Sequence, residues 1–180
     1  MSNHLKRYFA PKSWKIKRKG IKFITKGSPG PHSSGRSMPI NIILRDVLNY
    51  AENNREVKLI LEKRNITIDG IKRKDHSFPV GLFDILSLND LNEHFRVVLD
   101  NKGKIEVIKI AKGESELKLC KITGKNIIQG KIQLNLHDGK NIFVKENSYK
   151  VGDSILLNFG KKIVVKDHIR LDKNVQHALE

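Results

Sequence analysis

The stretch that decides the fold runs from residue 38 to residue 88 and reads MPINIILRDVLNYAENNREVKLILEKRNITIDGIKRKDHSFPVGLFDILSL. Apolar residues in its first part recur at the spacing of one helical face, which predicts a helix from about Pro39 to Ala51. The segment Asn53–Glu56 resembles a capping box. It therefore predicts the start of a second helix, which should end near Lys63.

Short strands are expected after the two helices. The Ile66–Ile68 segment alternates apolar and polar side chains, and Asp69-Gly70 suits a tight turn in which φ is positive. Pro79–Gly81 then leads into Asp84–Leu88, which is rich in Ile and Leu and is typical of a buried strand. The pattern predicts a compact α+β module over residues 38–92, with cations at its helix and turn edges.

The composition points to a polyanionic partner. The 180 residues include 35 lysines and arginines against 19 acids, which gives a formal net charge of +16 at pH 7. Such a charge is informative about partners rather than about fold, and a nucleic-acid backbone is the obvious match. The sequence has no basic amphipathic helix with bulky apolar residues and no apolar run of about 20 residues, so we expect no membrane partner.

Cysteine usage and the first residues indicate an intracellular protein. Cys120 is the single cysteine, which excludes an internal disulfide and favours a reducing, cytoplasmic location. The N-terminus is basic, but no apolar segment follows it, so we do not expect a signal peptide.

The positive charge is concentrated in residues 1–37, which carry ten cations and no acid. Residues 38–92 carry eight charges of each sign, and residues 93–180 carry 17 basic and 11 acidic side chains. Gly-Pro and Ser-Gly clusters interrupt regular structure in the first segment, so we expect an extended basic arm there. Bulky apolar residues, including Trp14, are interleaved with its lysines. This favours an arm that orders on RNA, with aromatics on bases or on the protein itself, over a mobile solubilising tail.

Residues 93–173 have the texture of short alternating strands. Hairpin patterns occur at Asn101–Gly103, Asp138-Gly139 and Gly160-Lys161, and turn residues recur about every 8–12 positions. This texture predicts a small barrel or a curled sheet, followed by a C-terminal tail over residues 174–180. The expected class is α+β, with a basic arm, a two-helix module with a short sheet, and a small β-barrel-like domain.

We expect neither a catalytic nor a metal-binding arrangement. The seven histidines are scattered, and one cysteine cannot supply a zinc site of the usual kind. His137-Asp138 could pair a general base with an orienting acid, but turn chemistry explains the pair more simply. Cys120 lies in an apolar strand, where a buried small hydrophobe is expected rather than a nucleophile. Gly124–Lys131 lacks the spacing of a phosphate-binding loop, so no cofactor and no small-molecule substrate is expected.

The central module resembles the small RNA-binding domain named after bacterial small-subunit ribosomal protein four. That domain has two helices, a strand ending in an Asn-Gly or Asp-Gly turn, and a Pro before an Ile-rich strand. The corresponding residues here are Ile68–Gly70, Pro79 and Asp84-Ile85. The same domain occurs in pseudouridine synthases and tyrosyl-tRNA synthetases, so the module alone does not decide the function.

The flanking segments resemble the S4e family of archaeal and eukaryotic small-subunit ribosomal proteins. The segments that carry the resemblance follow one another in family order: His4–Arg7, Ala10–Trp14, Gly30–His32, Pro79–Ile85, Lys118–Ile122, Gln133–Gly139 and Tyr149–Asp153. The short segment before His4 is more similar to archaeal members. Family members usually continue into a C-terminal KOW-type barrel that opens with a Gly-Gly motif. This sequence ends at Glu180 before such a module, which leaves natural loss and truncation as alternatives.

The resemblance implies a structural, non-enzymatic constituent of the small ribosomal subunit, located on cytoplasmic ribosomes. Its expected partners are small-subunit ribosomal RNA and neighbouring ribosomal proteins. The alternatives are a free-standing RNA-binding module or RNA chaperone, and an RNA-modifying enzyme that carries the same domain. In the arm, the residues expected to contact RNA are Lys6, Arg7, Lys12, Trp14, Lys15, Lys17, Arg18, Lys19, Lys22, Lys26, His32 and Arg36. In the domain over residues 38–92 they are Arg45, Asn49, Arg55, Lys58, Lys63, Arg64, Lys72, Arg73 and Lys74.

Overall fold

The computed structural model describes residues 4–144, 148–159 and 163–171. The chain forms two compact units, which divide between Ser115 and Glu116. The tail predicted over residues 174–180 and the turn predicted at Gly160-Lys161 lie outside the described residues. Strands predominate and two short helical segments accompany them, so the mixed class of fold predicted from the sequence is confirmed.

The described part of the first unit contains nine strands and two helical segments. The strands are β1 (Leu5–Lys6), β2 (Phe23–Ile24), β3 (Ser37–Pro39), β4 (Ile66–Ile68), β5 (Ile71–Lys72), β6 (Pro79–Gly81), β7 (Ile85–Leu88), β8 (Glu93–Leu99) and β9 (Ile105–Ile110). The helices are α1, an α-helical turn (Ile40–Ile42) continued by a π-helical turn (Ile43–Val47), and α2 (Asn54–Lys63). Short 3₁₀ turns lie at Arg7–Phe9, Asn89–Leu91 and Lys112–Glu114.

A five-stranded antiparallel sheet, in the order β5-β4-β7-β8-β9, forms the centre of the first unit. Ile68 lies opposite Leu86, and both are buried in the hydrophobic core. Val57 and Leu61 of α2 are fully buried in the same core, since they lie on one face of that helix. The predicted order of two helices, a strand, a tight turn and further strands is therefore confirmed.

Helix α1 ends earlier than its apolar spacing predicts. Helical structure stops at Val47 instead of Ala51, and the Leu48 N–H donates to the Ile43 oxygen across a wide turn (2.8 Å). Asn49 then adopts a φ of 57°, a left-handed conformation that Asn tolerates better than most residues. Ala51 is buried although it lies outside the helix, which explains why its spacing resembles that of a helical face.

Helix α2 begins as the capping pattern predicts. The Glu56 carboxylate accepts hydrogen bonds from the backbone N–H groups of Glu52 (2.8 Å) and Asn53 (3.4 Å). These bonds hold the pKa of Glu56 below its usual value. The helix ends at Lys63, as predicted. None of the described helices has the length and apolar character that crossing a membrane requires.

The N-terminal residues fold onto the first unit, in contrast to the extended arm that the sequence predicts. Strand β1 pairs with β2, and Trp14 and Ile24 belong to the hydrophobic core. The Trp14 Nε1–H donates to the Ser37 oxygen (2.7 Å), and the Ile105 N–H donates to the Ser13 oxygen (2.7 Å). The apolar side chains among the lysines explain the difference, because their burial offsets the entropy lost when the segment is ordered.

Two glycines allow the N-terminal residues to pack closely against β6. A Cβ added at Gly30 would lie 2.5 Å from Pro79 Cγ, and one added at Gly81 would lie 2.1 Å from His32 Cγ. His32 Nε2 lies 2.9 Å from Asp84 Oδ2, and the same carboxylate accepts the Gly81 N–H (2.8 Å). The Gly-Pro-His segment therefore has a structural role in closing the first unit.

The division between the units lies later than the sequence predicts. The boundary expected between residues 92 and 93 falls inside a tight connection, because Glu93 lies opposite Leu88 and β8 pairs with β7. Asn92 makes the connection possible by adopting a φ of 53°. The hairpin of β8 and β9 completes the first sheet, and the division follows Ser115. The sequence boundary lies where short alternating strands begin, and β8 is the first of these strands although it belongs to the first sheet.

The second unit is a curled sheet. Its strands are β10 (Leu117–Ile128), β11 (Lys131–Leu136), β12 (Asn141–Val144), β13 (Ser154–Asn158) and β14 (Val164–Ile169). They pair antiparallel in the order β12-β11-β10-β13-β14. The first part of β10 pairs with β13 and the second part with β11, with a bulge between Ile122 and Gly124. The bulge and the change of partner bend the sheet into a half-barrel around Cys120, Ile122, Leu134, Leu136, Ile155 and Leu157.

Candidate nucleic-acid interface

A basic groove of about 930 Å³ lies on the first unit, between the loop over residues 12–21 and the end of α1. Eight of the side chains that line it are cationic and two are acidic. Concave surfaces with charge of one sign concentrate the electrostatic field and attract polyanions. Nine of the residues predicted to contact RNA line the groove: Arg7, Lys12, Trp14, Lys15, Lys17, Arg18, Lys19, Arg45 and Asn49.

Two arginines shape the loop that forms one wall of the groove. The buried Arg7 guanidinium donates to the Lys17 oxygen (2.7 Å) and to Asp46 Oδ1 (3.1 Å). The Arg18 guanidinium donates to the backbone oxygens of residues 10 and 11 (2.8 Å each). Bonds from a planar guanidinium to several acceptors fix the backbone path. The two arginines therefore position the loop, and its lysines supply the exposed charge.

Three exposed lysines of this loop are not paired with any carboxylate of the described residues. Within the described residues, no carboxylate lies within ion-pair distance of Lys12, Lys17 or Lys19. Lys15 differs, since its Nζ lies 2.8 Å from Glu106 Oε1, and the hydrogen bond and charge of Glu106 raise the pKa of Lys15. The three unpaired ammonium groups are thus available to phosphate oxygens.

Four of the residues predicted to contact RNA have partners inside the protein. Trp14 exposes 4% of its surface and its ring N–H is bonded to a backbone oxygen, so it cannot stack on a base in this fold. His32 is buried against Asp84. Arg7 is buried, and the Arg45 guanidinium lies 2.6 Å from its neighbour Asp46. These side chains hold the fold that presents the other cations.

A second basic edge combines α2 with the residues after β5. Burial lowers the pKa of His76, and the charge of Lys58 lowers it further, so Lys58 of α2 lies near His76. Arg73 lies 4.4 Å above the centre of the Phe78 ring. The closeness of Arg55 and Lys58 to the basic run over residues 72–74 itself stays a prediction. The exposed cations of this edge are Arg55, Lys58, Lys63, Arg64, Lys72 and Lys74.

The other predicted cations of the N-terminal segment are exposed but lie outside the lining of the groove; they are Lys6, Lys22, Lys26 and Arg36. The structure adds Lys104, which lines the groove from the connection between β8 and β9. Sequence reasoning missed Lys104 because it assigned that hairpin to the following domain. The hairpin pattern at Asn101–Gly103 was the available signal for its position at an exposed tip.

The second unit contains a buried charged cluster around Asp138. Ligand-type atoms of Cys120, His137 and Asp138 lie within 4.8 Å of one another, an arrangement that could hold a metal ion. However, Asp138 Oδ2 lies 3.0 Å from Nζ of the fully buried Lys118 and 3.4 Å from Nζ of Lys140. Burial alone would raise the pKa of Asp138, but the two ammonium groups outweigh it and hold the pKa below its ordinary value of 3.8. The carboxylate is already neutralised by lysine, so we interpret the cluster as a structural ion pair.

Two family models match the chain: ribosomal family S4e over residues 91–164, and the RS4NT domain over residues 1–34. A protein named small ribosomal subunit protein eS4 from Methanococcus aeolicus is 48% identical over 171 residues, which cover 90% of this chain and 69% of the relative. The chain belongs to ribosomal family S4e. The resemblance found in the sequence is thereby confirmed, and the S4e family consists of structural ribosomal proteins rather than enzymes.

Other S4e relatives agree with this assignment. Small ribosomal subunit protein eS4 from Methanosphaera stadtmanae is 44% identical over 171 residues, covering 94% of this chain and 70% of the relative. The crystal structure of 30S ribosomal protein S4e from Thermoplasma acidophilum is similar in fold, with a TM-score of 0.64 and 30% sequence identity. That similarity covers 76% of this chain and 70% of the other chain. These relatives are archaeal, as the short segment before His4 led us to expect.

Proposed function

We propose that this chain is a structural constituent of the small ribosomal subunit and that it binds ribosomal RNA through the basic groove. The relatives that support the proposal are named as small-subunit proteins. The observation that carries it is the loop with Lys12, Lys17 and Lys19, whose ammonium groups are exposed and unpaired while two arginines fix their backbone. On the ribosome, in the cytoplasm, the protein would contact RNA and neighbouring ribosomal proteins.

The mechanism is neutralisation of phosphates on a surface of defined shape. Contacts to the phosphate backbone set position and orientation without reading sequence, and RNA helices are recognised mostly by shape. The groove provides such a surface, because its lysines are held on a bonded loop rather than on a disordered tail. The second basic edge along α2 offers a further contact, which would fix the orientation of the first unit on RNA.

Salt dependence tests the groove. The triple variant Lys12→Gln, Lys17→Gln and Lys19→Gln should bind ribosomal RNA more weakly and with a flatter dependence on salt. The slope of log K against log salt should fall by about 0.7–0.9 for each phosphate that is no longer neutralised, which makes about 2–3 for the triple variant. A second triple variant, Lys102→Gln, Lys112→Gln and Lys131→Gln, removes the same charge from exposed positions outside the groove and serves as the control. Equal slopes for the two variants would contradict the role of the groove.

Sedimentation tests the ribosomal assignment. In a sucrose gradient of a cell lysate, the tagged chain should co-migrate with small subunits and remain bound after a high-salt wash. A soluble peak alone would support a free-standing RNA-binding module or RNA chaperone instead.

A further inference from the structure

Two adjacent aromatic rings stand exposed on the N-terminal segment. Tyr8 exposes 76% and Phe9 exposes 69% of its surface. The ring centroids lie 5.5 Å apart at an interplanar angle of 84°. In this edge-to-face arrangement one ring covers only part of the other, so ring faces remain open to a third planar group. Two neighbouring exposed rings form a patch, in contrast to the single apolar residues scattered over most protein surfaces.

The backbone that carries the two rings is held on both sides. Arg7 and Ala10 flank the rings and are buried. The backbone N–H of Arg7 donates to the backbone oxygen of Lys22 (2.9 Å), and Arg18 Nη1 donates to the backbone oxygen of Tyr8 (3.2 Å). The rings are therefore presented on an ordered turn, and an ordered site loses less conformational entropy when it binds a ligand.

The charge around the rings selects the chemistry of the occupant. Residues 1–37 carry no acid, and the exposed Lys6 and Lys12 lie close to the rings in sequence on either side. Open aromatic faces beside cations bind single-stranded nucleic acid, because the faces stack on bases while the cations contact phosphates. Bases inside a duplex already stack on their neighbours and offer no free face, whereas loops, bulges and ends do.

We propose that Tyr8 and Phe9 form a stacking platform for unpaired bases of RNA. The inference rests on the proposed RNA-binding function and adds the part of the RNA that this surface takes. It also moves the aromatic contact from Trp14, which is buried, to the two rings that follow Arg7.

The test uses the full chain and two RNA probes, a non-self-complementary single strand of about 12 nucleotides and a duplex of the same length. The double variant Tyr8→Leu and Phe9→Leu keeps apolar bulk and removes both rings. Its affinity for the single strand should fall about ten-fold or more, while its affinity for the duplex should change less than about two-fold. The exposed Phe143 of the second unit provides a matched control, since Phe143→Leu removes one ring elsewhere and should alter neither affinity.

A spectroscopic readout separates stacking from a general effect. A 2-aminopurine base in the single strand should lose fluorescence when it stacks on the wild-type chain, should lose it equally on Tyr8→Phe, and should not lose it on the double leucine variant. Equal losses of affinity for both probes, or no loss beyond that of Phe143→Leu, would overturn the platform. If the wild-type chain binds neither probe in a salt-dependent way, the proposed function itself fails; if it binds normally and the ring variants bind alike, only the platform fails.

Discussion

Replacement of Lys118 by Met should destabilise the second unit by about 3 kcal/mol. The Lys118 side chain is fully buried, the Asp138 side chain exposes 2%, and their charged atoms lie 3.0 Å apart. Removal of one partner from a buried ion pair typically costs about 3–5 kcal/mol, because the other charge is left without compensation. Lys140 lies 3.4 Å from the same oxygen and continues to neutralise part of that charge, which places the expected cost at the lower end.

Each unit carries its own reporter, so the effect can be assigned to the second unit. Cys120 is the single cysteine and is fully buried in the second unit, while Trp14 is the single tryptophan and is buried in the first. Thiol labelling of Cys120 against urea concentration measures unfolding of the second unit, and Trp14 fluorescence measures unfolding of the first. Lys118→Met should lower the midpoint reported by Cys120 and leave the midpoint reported by Trp14 unchanged.

Two further variants establish that charge is the cause. Lys118→Met combined with Asp138→Asn should recover most of the loss, since replacing both partners of a buried pair is often neutral, and the coupling should be about 2 kcal/mol. Lys121→Met, at an exposed position of the same strand, should change stability by less than about 0.5 kcal/mol. A loss below about 1 kcal/mol for Lys118→Met, or an equal shift of both reporters, would refute the reasoning.

Gly81→Ala should destabilise the first unit by about 1–3 kcal/mol, because the added Cβ would lie 2.1 Å from His32 Cγ; the urea midpoint of Trp14 fluorescence measures this loss, and an unchanged midpoint would contradict the close packing. Without RNA, Trp14 should emit at the short wavelengths of a buried indole and resist quenching by iodide; emission like that of an exposed indole would show that the N-terminal residues do not fold back. The second unit should lose stability in acid. Lysine charges hold the pKa of Asp138 below its ordinary value of 3.8 in the folded state. The ionised carboxylate therefore stabilises the second unit fully above pH 3.8, and this stabilisation is lost as the pH falls through the lowered pKa of the folded state. Labelling of Cys120 with a pyridyl disulfide, which reacts with thiols in acid as well, near pH 7 and near pH 3 measures the loss. The loss should be smaller in the combined variant of Lys118 and Asp138.

Local patterns predicted the helices and turns of the first unit well. The capping residues before α2 and the Asp69-Gly70 turn depend on neighbours in sequence, so the pattern contains nearly all of their cause. The predicted end of α1 was wrong by one turn. Ala51 is buried, but it owes this burial to tertiary packing and not to a position on a helical face. Apolar spacing reports burial, and burial has more than one structural origin.

Long-range pairing was not predictable in the same way. The Trp14 ring N–H donates to the backbone oxygen of Ser37, and the backbone N–H of Ile105 donates to the backbone oxygen of Ser13. Both bonds join residues that are far apart in the sequence. Nothing local distinguishes such a segment from a tail that orders only on RNA. The boundary at residue 92 has a local cause instead, since β8 pairs with β7 across a short turn without Gly or Pro, in which Asn92 takes the positive φ.

The sequence indicates the residue types of the candidate site but not their roles. The abundance of cations before residue 37 points to the loop that lines the groove, and contact of this groove with RNA stays a prediction. It did not separate Arg7 and Arg18, which bond to backbone oxygens, from the lysines that remain exposed. Lys118 shows the same difficulty in the second unit, because a lysine in an alternating strand is expected to face solvent until Asp138 is placed beside it.

The bond between Ser13 and Ile105 has a consequence for the order of events during synthesis. The loop over residues 12–21 leaves the synthesising ribosome long before its anchor in β9 exists, and contacts between residues so distant in sequence form late in folding. The bonds of Arg7 and Arg18 within the segment can form earlier, but the bond from Ile105 to Ser13 can form only after the hairpin of β8 and β9 has been synthesised. A nascent chain of this protein carries its strongest charge from the start, but it gains a shaped groove only when the first unit is complete.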